Sequence, residues 1–166
     1  MREETESKNR QISEHTGEVI ADPTLTYVVP KTESPVPTLN FAPLESSLTK
    51  LKESARAYDA AMNEAATSTR TLSPEAQKSL DAALIQTERA MTREQGLPRR
   101  PWFKHQIYAP GFYTGYGVKT LPGVREAIEQ RNWKEAGEQV SIIAETIDNL
   151  AAEIDRATNI DKSSSR

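Results

Sequence analysis

The chain has 166 residues, of which 36% are hydrophobic and 6% aromatic, and this length suits one domain with a modest, aliphatic core. Its 21 basic and 24 acidic residues give a net charge of −3, whereas a dedicated nucleic-acid binder usually carries a basic face, so no nucleic-acid partner is expected. The absence of cysteine excludes disulfides and thiolate metal sites.

The N-terminal residues, MREETESKNR, are charged and lack the apolar stretch of a signal peptide. No apolar run reaches the roughly 20 residues that span a bilayer, so no membrane segment is expected in this chain. Residues 1–21 are predicted to form a polar helix that begins without a capping residue. We therefore expect this helix to be entered partway along, as in a piece of a longer protein.

Residues 22–43 interrupt the helical pattern with five of the chain's ten prolines. Proline fixes the backbone angle φ and removes an N–H donor, so this stretch is predicted to be an extended connector. Within it, LTYVVP (residues 25–30) could also form a short edge strand.

Residues 44–160 are predicted to form a helical domain, because apolar side chains recur there at steps of four and three, the spacing of one helix face. Three stripes follow this pattern: Leu44, Leu48, Leu51, Ala55, Tyr58, Met62 and Ala65; Ala76, Leu80, Ala83, Leu84, Thr87 and Met91; and Ala136, Val140, Ile143, Ile147, Leu150, Ile154 and Ala157. Such stripes must be buried against each other, so the predicted fold class is all-α, a four-helix-bundle-like domain. An intermolecular coiled coil is the alternative that the same spacing leaves open.

Capping residues set the expected helix ends. Asn40 is the candidate N-cap of the first long helix. Ser73 caps the second helix, with Pro74 at its first helical position, and Gly96 is the candidate C-cap. A short helix is predicted to begin at Pro122, before a last helix that begins near residue 132. Residues 161–166 are predicted to be a disordered tail.

A long loop rich in tyrosine and glycine is predicted between helices 2 and 3 of this domain. The stretch from Trp102 to Tyr116 holds six of the ten aromatic residues, and that from Gly111 to Gly123 holds four of the seven glycines. Glycine frees the backbone, and tyrosine combines a flat apolar ring with a hydroxyl. Such a loop suits a binding surface better than a core.

Two roles are expected for the aromatic side chains of this loop. Three rings are predicted to plug one end of the bundle: Trp102, Phe103 and Tyr108. The three rings spaced by glycines are predicted to contact something outside this chain: Phe112, Tyr113 and Tyr116. The cations and rings of RRPWFKH (residues 99–105) also have the composition of a single-stranded nucleic-acid platform, but in an acidic chain we interpret them as packed side chains.

The sequence contains no self-contained catalytic or metal-binding motif. Its two histidines, His15 and His105, are far apart, and no H-E-x-x-H or G-x-S-x-G pattern occurs. The glycines at 111, 115 and 117 match neither a P-loop nor a dinucleotide fingerprint. We therefore expect no catalytic residue, metal site or cofactor in this chain.

Residues 96–127, GLPRRPWFKHQIYAPGFYTGYGVKTLPGVREA, resemble the C-terminal helical region of the transferrin-receptor and glutamate-carboxypeptidase family. The shared elements are G-L-P-x-R-P with the aromatic pair and K-H that follow it, then I-Y-A-P, a tyrosine at position 116, and P-G opening a helix. The family contains M28-type peptidases with two zinc ions and their inactive receptor relatives. The resemblance covers roughly residues 1–160 and implies a helical dimerisation domain, and therefore a homodimer.

The resemblance also implies a role for the loop. In glutamate carboxypeptidases the corresponding loop reaches into the pocket of a protease-like domain, where a Lys-Tyr pair grips the carboxylate of the substrate's C-terminal residue. Tyr116 matches the tyrosine, Gly115 stands where the lysine would be, and Lys119 is the candidate for a charge from another angle. Three further residues are expected at the loop or interface: Phe112, Tyr113 and Tyr108.

The function implied by the resemblance is that of a non-catalytic C-terminal dimerisation domain of a zinc-dependent exopeptidase, which assembles the homodimer and lends a loop to the substrate pocket. Two zinc ions and the catalytic residues would belong to a protease-like domain outside this chain, and the parent protein is expected to be extracytoplasmic. Two alternatives stay open: a receptor-like protein-binding module without catalysis, and a free-standing helical adaptor. Metal-ligating residues upstream of this segment would decide for the peptidase.

Overall fold

The structure is a computed structural model that describes residues 1–19, 21–22, 24–68 and 72–163, with side chains described as far as residue 160. The chain divides into two compact units, Met1–Thr38 and Leu39–Arg166. The second unit contains the three predicted stripes and the tyrosine- and glycine-rich segment.

The first unit consists of two short helices and an extended segment. Helix α1 spans Arg2–Ser13 and helix α2 spans Thr16–Val19, so the predicted single polar helix is broken between them. The Asn9 side chain donates to the carbonyl of Glu33 at 2.7 Å and accepts its N–H at 2.8 Å, which ties the extended segment to α1. Residues 25–30 do not form the edge strand considered above.

The second unit is mostly helical. Its helices are α3 (Ala42–Thr67), α4 (Pro74–Ala90), α5 (Pro122–Glu129) and α6 (Trp133–Ser163). The segment predicted as a loop contains two short antiparallel strands, β1 (Tyr108–Pro110) and β2 (Val118–Thr120). The predicted helical fold class is thus confirmed in its coarse form, and the loop is in part a β-hairpin.

Helix α6 is the centre of the second unit, because α3, α4 and α5 each pack against it. Five residues of its predicted stripe are at most 6% exposed: Ala136, Val140, Ile143, Ile147 and Ala157. Within the described residues, the backbones of α3 and α4 each approach α6 closely and do not approach each other. The four-helix-bundle arrangement is therefore not confirmed, since the helices surround one central helix.

The inward face of α3 is offset from the predicted stripe. Its buried residues include Ser47, Ser54 and Ala61, whereas Leu48, a member of the predicted stripe, is 38% exposed. The small side chains at positions 47, 54 and 61 recur every seven residues on one helix face and permit close packing against α6. Because serine is polar, a hydrophobicity pattern could not place it on the buried face.

The capping predictions are confirmed at one helix and shifted at another. The Ser73 hydroxyl accepts the N–H of Ala76 at 3.1 Å, as expected for an N-cap, and Pro74 occupies the first position of α4. Asn40 accepts the N–H of Ala42 at 3.0 Å, but α3 begins at Ala42, so Asn40 lies one residue before its N-cap.

Along the long helices α3, α4 and α6, buried residues recur at intervals among exposed ones, as expected for amphipathic helices. In the part of the chain that the structure describes, no helix combines the length and apolar character needed to cross a membrane.

Candidate functional site

The candidate site is the tip of the β1–β2 hairpin, residues 111–117, which we call the hairpin tip. The two strands pair with Ala109 opposite Lys119. The N–H of Gly111 donates to the carbonyl of Gly117 at 2.9 Å and closes the tip. A Cβ at position 111 would lie 2.0 Å from the Thr114 hydroxyl, so any other residue there would have to displace that side chain.

The side chains of the hairpin tip face solvent. Tyr116 is 102% exposed, Tyr113 is 72% exposed and Phe112 is 38% exposed. Gly115, directly before Tyr116, has a φ of 59°, a left-handed conformation that favours glycine. The predicted binding residues Gly115 and Tyr116 therefore stand together at the tip, beside the predicted loop residues Phe112 and Tyr113.

A buried ion pair holds the base of the hairpin tip. The side chains of Arg100 and Glu126 are each 3% exposed, and Arg100 Nη2 lies 2.7 Å from Glu126 Oε1. Arg100 Nη1 also donates to the carbonyl of Pro110. The same Glu126 oxygen accepts the N–H of Phe112 at 2.8 Å. The pair thus binds the backbone on both sides of Gly111.

Aromatic rings flank the buried guanidinium. The Arg100 guanidinium carbon lies 5.4 Å from the centre of the Phe103 ring and 5.7 Å from the centre of the Phe112 ring, both within cation–π range. Phe103 is half-buried in this stack. The ring of Phe112 thereby joins the exposed tip to the buried ion pair.

A second arginine fixes the segment that leads to the ion pair. Arg99 makes a bidentate contact with the Glu135 carboxylate at 2.9 Å for each nitrogen, which raises the pKa of Arg99 above its ordinary value. Arg99 itself has a φ of 63°.

Gly96, predicted as a helix C-cap, lies instead in this turn, six residues past the end of α4, with a φ of 64°. A Cβ at position 96 would lie 2.3 Å from the carbonyl oxygen of Pro101, which leaves no room for a side chain.

Lys119 lies in the stem of the hairpin. Its side chain is 9% exposed, and its Nζ contacts Glu129 Oε2 at 2.6 Å. Two carboxylates three residues apart on α5, Glu126 and Glu129, therefore each hold a cation from a neighbouring segment. The charge of Lys119 is already balanced within this chain.

The prediction that Trp102 and Tyr108 plug one end of a bundle is wrong. Trp102 is 69% exposed and Tyr108 is 48% exposed. The Tyr108 hydroxyl donates to Glu88 Oε1 at 3.2 Å, and this hydrogen bond raises the pKa of Tyr108 above its ordinary value.

His105 fastens the start of β1. Its Nδ1 lies 3.2 Å from the backbone nitrogens of Ile107 and Tyr108 and accepts from both. Its ring centre is 4.0 Å from that of Tyr108. Because Nδ1 accepts, the proton of the neutral ring resides on Nε2, which faces Glu88 at 3.4 Å.

Sequence reasoning missed Arg100 and Glu126 as the residues that hold the tip. A signal for Arg100 was present, since it is the arginine of the G-L-P-x-R-P element on which the family resemblance rests. For Glu126 there was none, because a glutamate on a short helix reads as a solvated residue.

The described residues do not fit a metal site. Within them, no group of three or more histidine and acidic side chains is placed to hold an ion. The expected zinc ions would therefore need ligands from outside the described part of this chain.

The second unit is thus a mostly helical domain whose hairpin tip is held at its base by a buried ion pair and exposes its aromatic side chains to solvent. This chain belongs to the transferrin receptor-like dimerisation domain family, whose profile matches residues 39–155. The resemblance read from the sequence is thus confirmed.

Two relatives carry a shared name. Over 52 residues, 31% of this chain and 8% of the relative, the chain is 48% identical to "Probable glutamate carboxypeptidase LAMP1" of Arabidopsis thaliana. Over 107 residues, 64% of this chain and 14% of the relative, it is 30% identical to "Probable glutamate carboxypeptidase" of Arthroderma benhamiae. The similarity therefore covers 14% or less of either relative's length.

Proposed function

We propose that this chain is the non-catalytic dimerisation domain of a zinc-dependent exopeptidase resembling glutamate carboxypeptidase. It assembles the homodimer and lends the hairpin tip to the substrate pocket of a protease-like domain. The observation that carries this proposal is Tyr116, a tyrosine 102% exposed at the end of a hairpin whose base is held by a buried ion pair.

The chemistry assigned to Tyr116 is recognition of a carboxylate. Its hydroxyl donates a hydrogen bond to the C-terminal carboxylate of a peptide substrate, and a charge-assisted bond of this kind is stronger than a neutral one. Gly115 supplies no cation beside it, and Lys119 is paired with Glu129 in the hairpin stem. We therefore assign binding of the substrate carboxylate to Tyr116. Lys119 contributes to that binding only if its ion pair with Glu129 is broken.

We assign catalysis and both zinc ions to the protease-like domain. In peptidases zinc activates a bound water as the nucleophile, and this chain's part is to orient the substrate rather than to bind metal. The family resemblance also supports an extracytoplasmic location for the parent protein.

Exposed aliphatic side chains of α4 support the assembly role. Leu84 and Ile85 of α4 are 39% and 58% exposed. Leu84 lines a groove of about 580 Å³ that is also lined by Leu150 and Ile154 of α6 and by Tyr58 of α3. Such a groove gains stability when a partner covers it, and we assign it to the homodimer contact.

The first prediction compares two tyrosines of the hairpin tip in the full-length parent enzyme. Tyr116→Phe keeps the ring and removes the hydroxyl. Losing one donor to a substrate carboxylate costs about 1.5–3 kcal/mol. The expected result is a fall of roughly ten- to a hundredfold in kcat/KM for peptides with a free C-terminal carboxylate.

Tyr113→Phe is the matched control, because Tyr113 is also exposed on the same tip, and its kcat/KM should stay near the wild-type value. Equal kcat/KM for Tyr116→Phe and the wild type on every peptide cleaved would remove Tyr116 from the pocket. A wild-type parent that cleaves no peptide would favour the receptor-like module instead.

A further inference from the structure

The ion pair of Arg100 and Glu126 does more than fill the core. Taking two charges out of water costs about as much as their attraction returns, so a buried ion pair contributes little net stability. The pair instead fixes the orientation of the groups bonded to it, because a planar guanidinium and a carboxylate hold their hydrogen-bond partners at defined angles. Here the partners are the carbonyl of Pro110 and the N–H of Phe112.

Those two backbone groups lie at the exit from β1. Gly111 stands between them, and its own N–H closes the hairpin tip by donating to Gly117 at 2.9 Å. The tip is a short closed ring of backbone, so the direction set at Phe112 is carried to Tyr116, four residues later. The Phe112 ring reinforces this link through its contact with Arg100, 5.7 Å from the guanidinium carbon.

We propose that Arg100 and Glu126 are positioning residues that set where the Tyr116 hydroxyl stands. They do so by clamping the backbone at Pro110 and Phe112, and neither touches substrate. The kinetic consequence rests on the proposed function of Tyr116, whereas the clamping itself is measurable in this chain alone. Displacing a substrate-binding group by about 1 Å can cost on the order of a hundredfold in rate.

The clamp is tested by amide hydrogen exchange on the 166-residue chain, followed by NMR. Glu126→Gln removes the charge and weakens two hydrogen bonds. The N–H groups of Phe112 and Gly111 are expected to exchange about tenfold faster or more, the size of effect for losing a bond to a charged group. The amides of α6 should exchange as in the wild type. Glu129→Gln is the matched control on the same helix, and it should leave the Phe112 amide protected.

A double variant distinguishes an effect on the orientation of the hairpin tip from an effect on the stability of the fold. Arg100→Met with Glu126→Leu replaces the buried pair by apolar side chains of similar length, a change that commonly preserves stability. It removes both bonds to the tip, so we expect a chain that still unfolds cooperatively, with its α6 amides protected as in the wild type, together with fast exchange at Phe112. This variant decides the question if the single variant unfolds. Wild-type exchange at the tip in the double variant overturns the proposal.

The effect of the clamp on catalysis is tested in the full-length parent enzyme with a double-mutant cycle. If Glu126 acts through Tyr116, Glu126→Gln lowers kcat/KM about tenfold in the wild-type background and has little effect in the Tyr116→Phe background. An equal loss in both backgrounds overturns the assignment. If Tyr116→Phe leaves kcat/KM unchanged while Glu126→Gln still accelerates amide exchange at Phe112, the proposed substrate role of Tyr116 is wrong. The positioning role of Arg100 and Glu126 is then still supported.

Discussion

Tyr108 shows at the scale of one residue how a neighbouring carboxylate changes a loop tyrosine. Its hydroxyl donates to Glu88 Oε1 at 3.2 Å, and ionising that hydroxyl would place a phenolate against a carboxylate. The hydrogen bond is the main cause of the raised pKa of Tyr108, and the repulsion from Glu88 adds to it. The contact stabilises the fold below the ordinary tyrosine pKa of about 10, and the stabilisation is lost as pH rises through the raised value.

We predict that Glu88→Gln lowers the pKa of Tyr108 towards its ordinary value, because the glutamine is neutral and accepts a weaker hydrogen bond. An NMR titration of the Tyr108 ring carbon that bears the hydroxyl measures this directly. Glu94→Gln is the control, since Glu94 pairs with Lys104 and not with the tyrosine. An unchanged Tyr108 pKa in Glu88→Gln would mean that the hydrogen bond is not formed in solution.

Tyr116 is the opposite case among the loop tyrosines. It is fully exposed, so the isolated chain derives little stability from its hydroxyl. The proposed partner of that hydroxyl is a substrate carboxylate in a pocket that another domain completes. The same residue type thus serves a local contact at position 108 and an external one at position 116.

At the scale of the element, the rotation of α3 about its own axis determines which of its side chains face α6. Leu51 packs against the cluster of Val124, Val140, Ile143 and Ile147, while Leu48 is 38% exposed. A helix rotated by one position would exchange these roles. Substitutions on the two helices therefore test the packing directly.

We predict that Ile147→Ala destabilises the chain by about 2–5 kcal/mol, the range for truncating a buried aliphatic side chain. Ile147 is 6% exposed, whereas Leu51 is half-buried, so Leu51→Ala should cost less than Ile147→Ala. Urea unfolding at a concentration where the chain is monomeric provides the free energies.

Leu48→Ala is the control on α3 and should lie within about 0.5 kcal/mol of the wild type, as for most exposed positions. If Leu48→Ala proves as costly as Ile147→Ala, α3 presents the originally predicted stripe to α6 and the offset described here is wrong.

At the scale of the whole molecule, the hydrophobic core lies in the second unit. Both clusters of buried apolar residues lie between Leu44 and Ile160, and the family profile begins at residue 39. The first unit has contacts of its own, such as the hydrogen bonds of Asn9 with Glu33. Folding of the helical unit is therefore expected to proceed without residues 1–38.

We predict that a fragment of residues 39–166 unfolds cooperatively with a Tm close to that of the whole chain. The difference should be smaller than the about 2–4 °C that a loss of 1 kcal/mol produces in a chain of this size. Differential scanning calorimetry on both proteins measures it. A fragment that fails to fold, or that melts well below the whole chain, would show that residues 1–38 complete the helical core.

Several features were readable from the sequence because their causes are local. The helical stripe of α6, the Ser73 cap and the start of α5 at Pro122 depend on spacing and side-chain chemistry within a few residues. The outward position of Phe112, Tyr113 and Tyr116 was readable as well, since glycines are interspersed among these rings where a core would need aliphatic residues, but the hairpin itself was not predicted. The family followed from the order of short elements in residues 96–127.

Other features depended on residues far apart in the chain. The buried serines of α3 follow from the close approach of α6, and the pairing of Arg100 with Glu126 joins positions 26 residues apart. Sequence by itself determined the elements and the composition of the tip, because these rest on local backbone and side-chain preferences. Only the tertiary structure decided which polar groups are buried together, because burial depends on what the rest of the chain brings next to them.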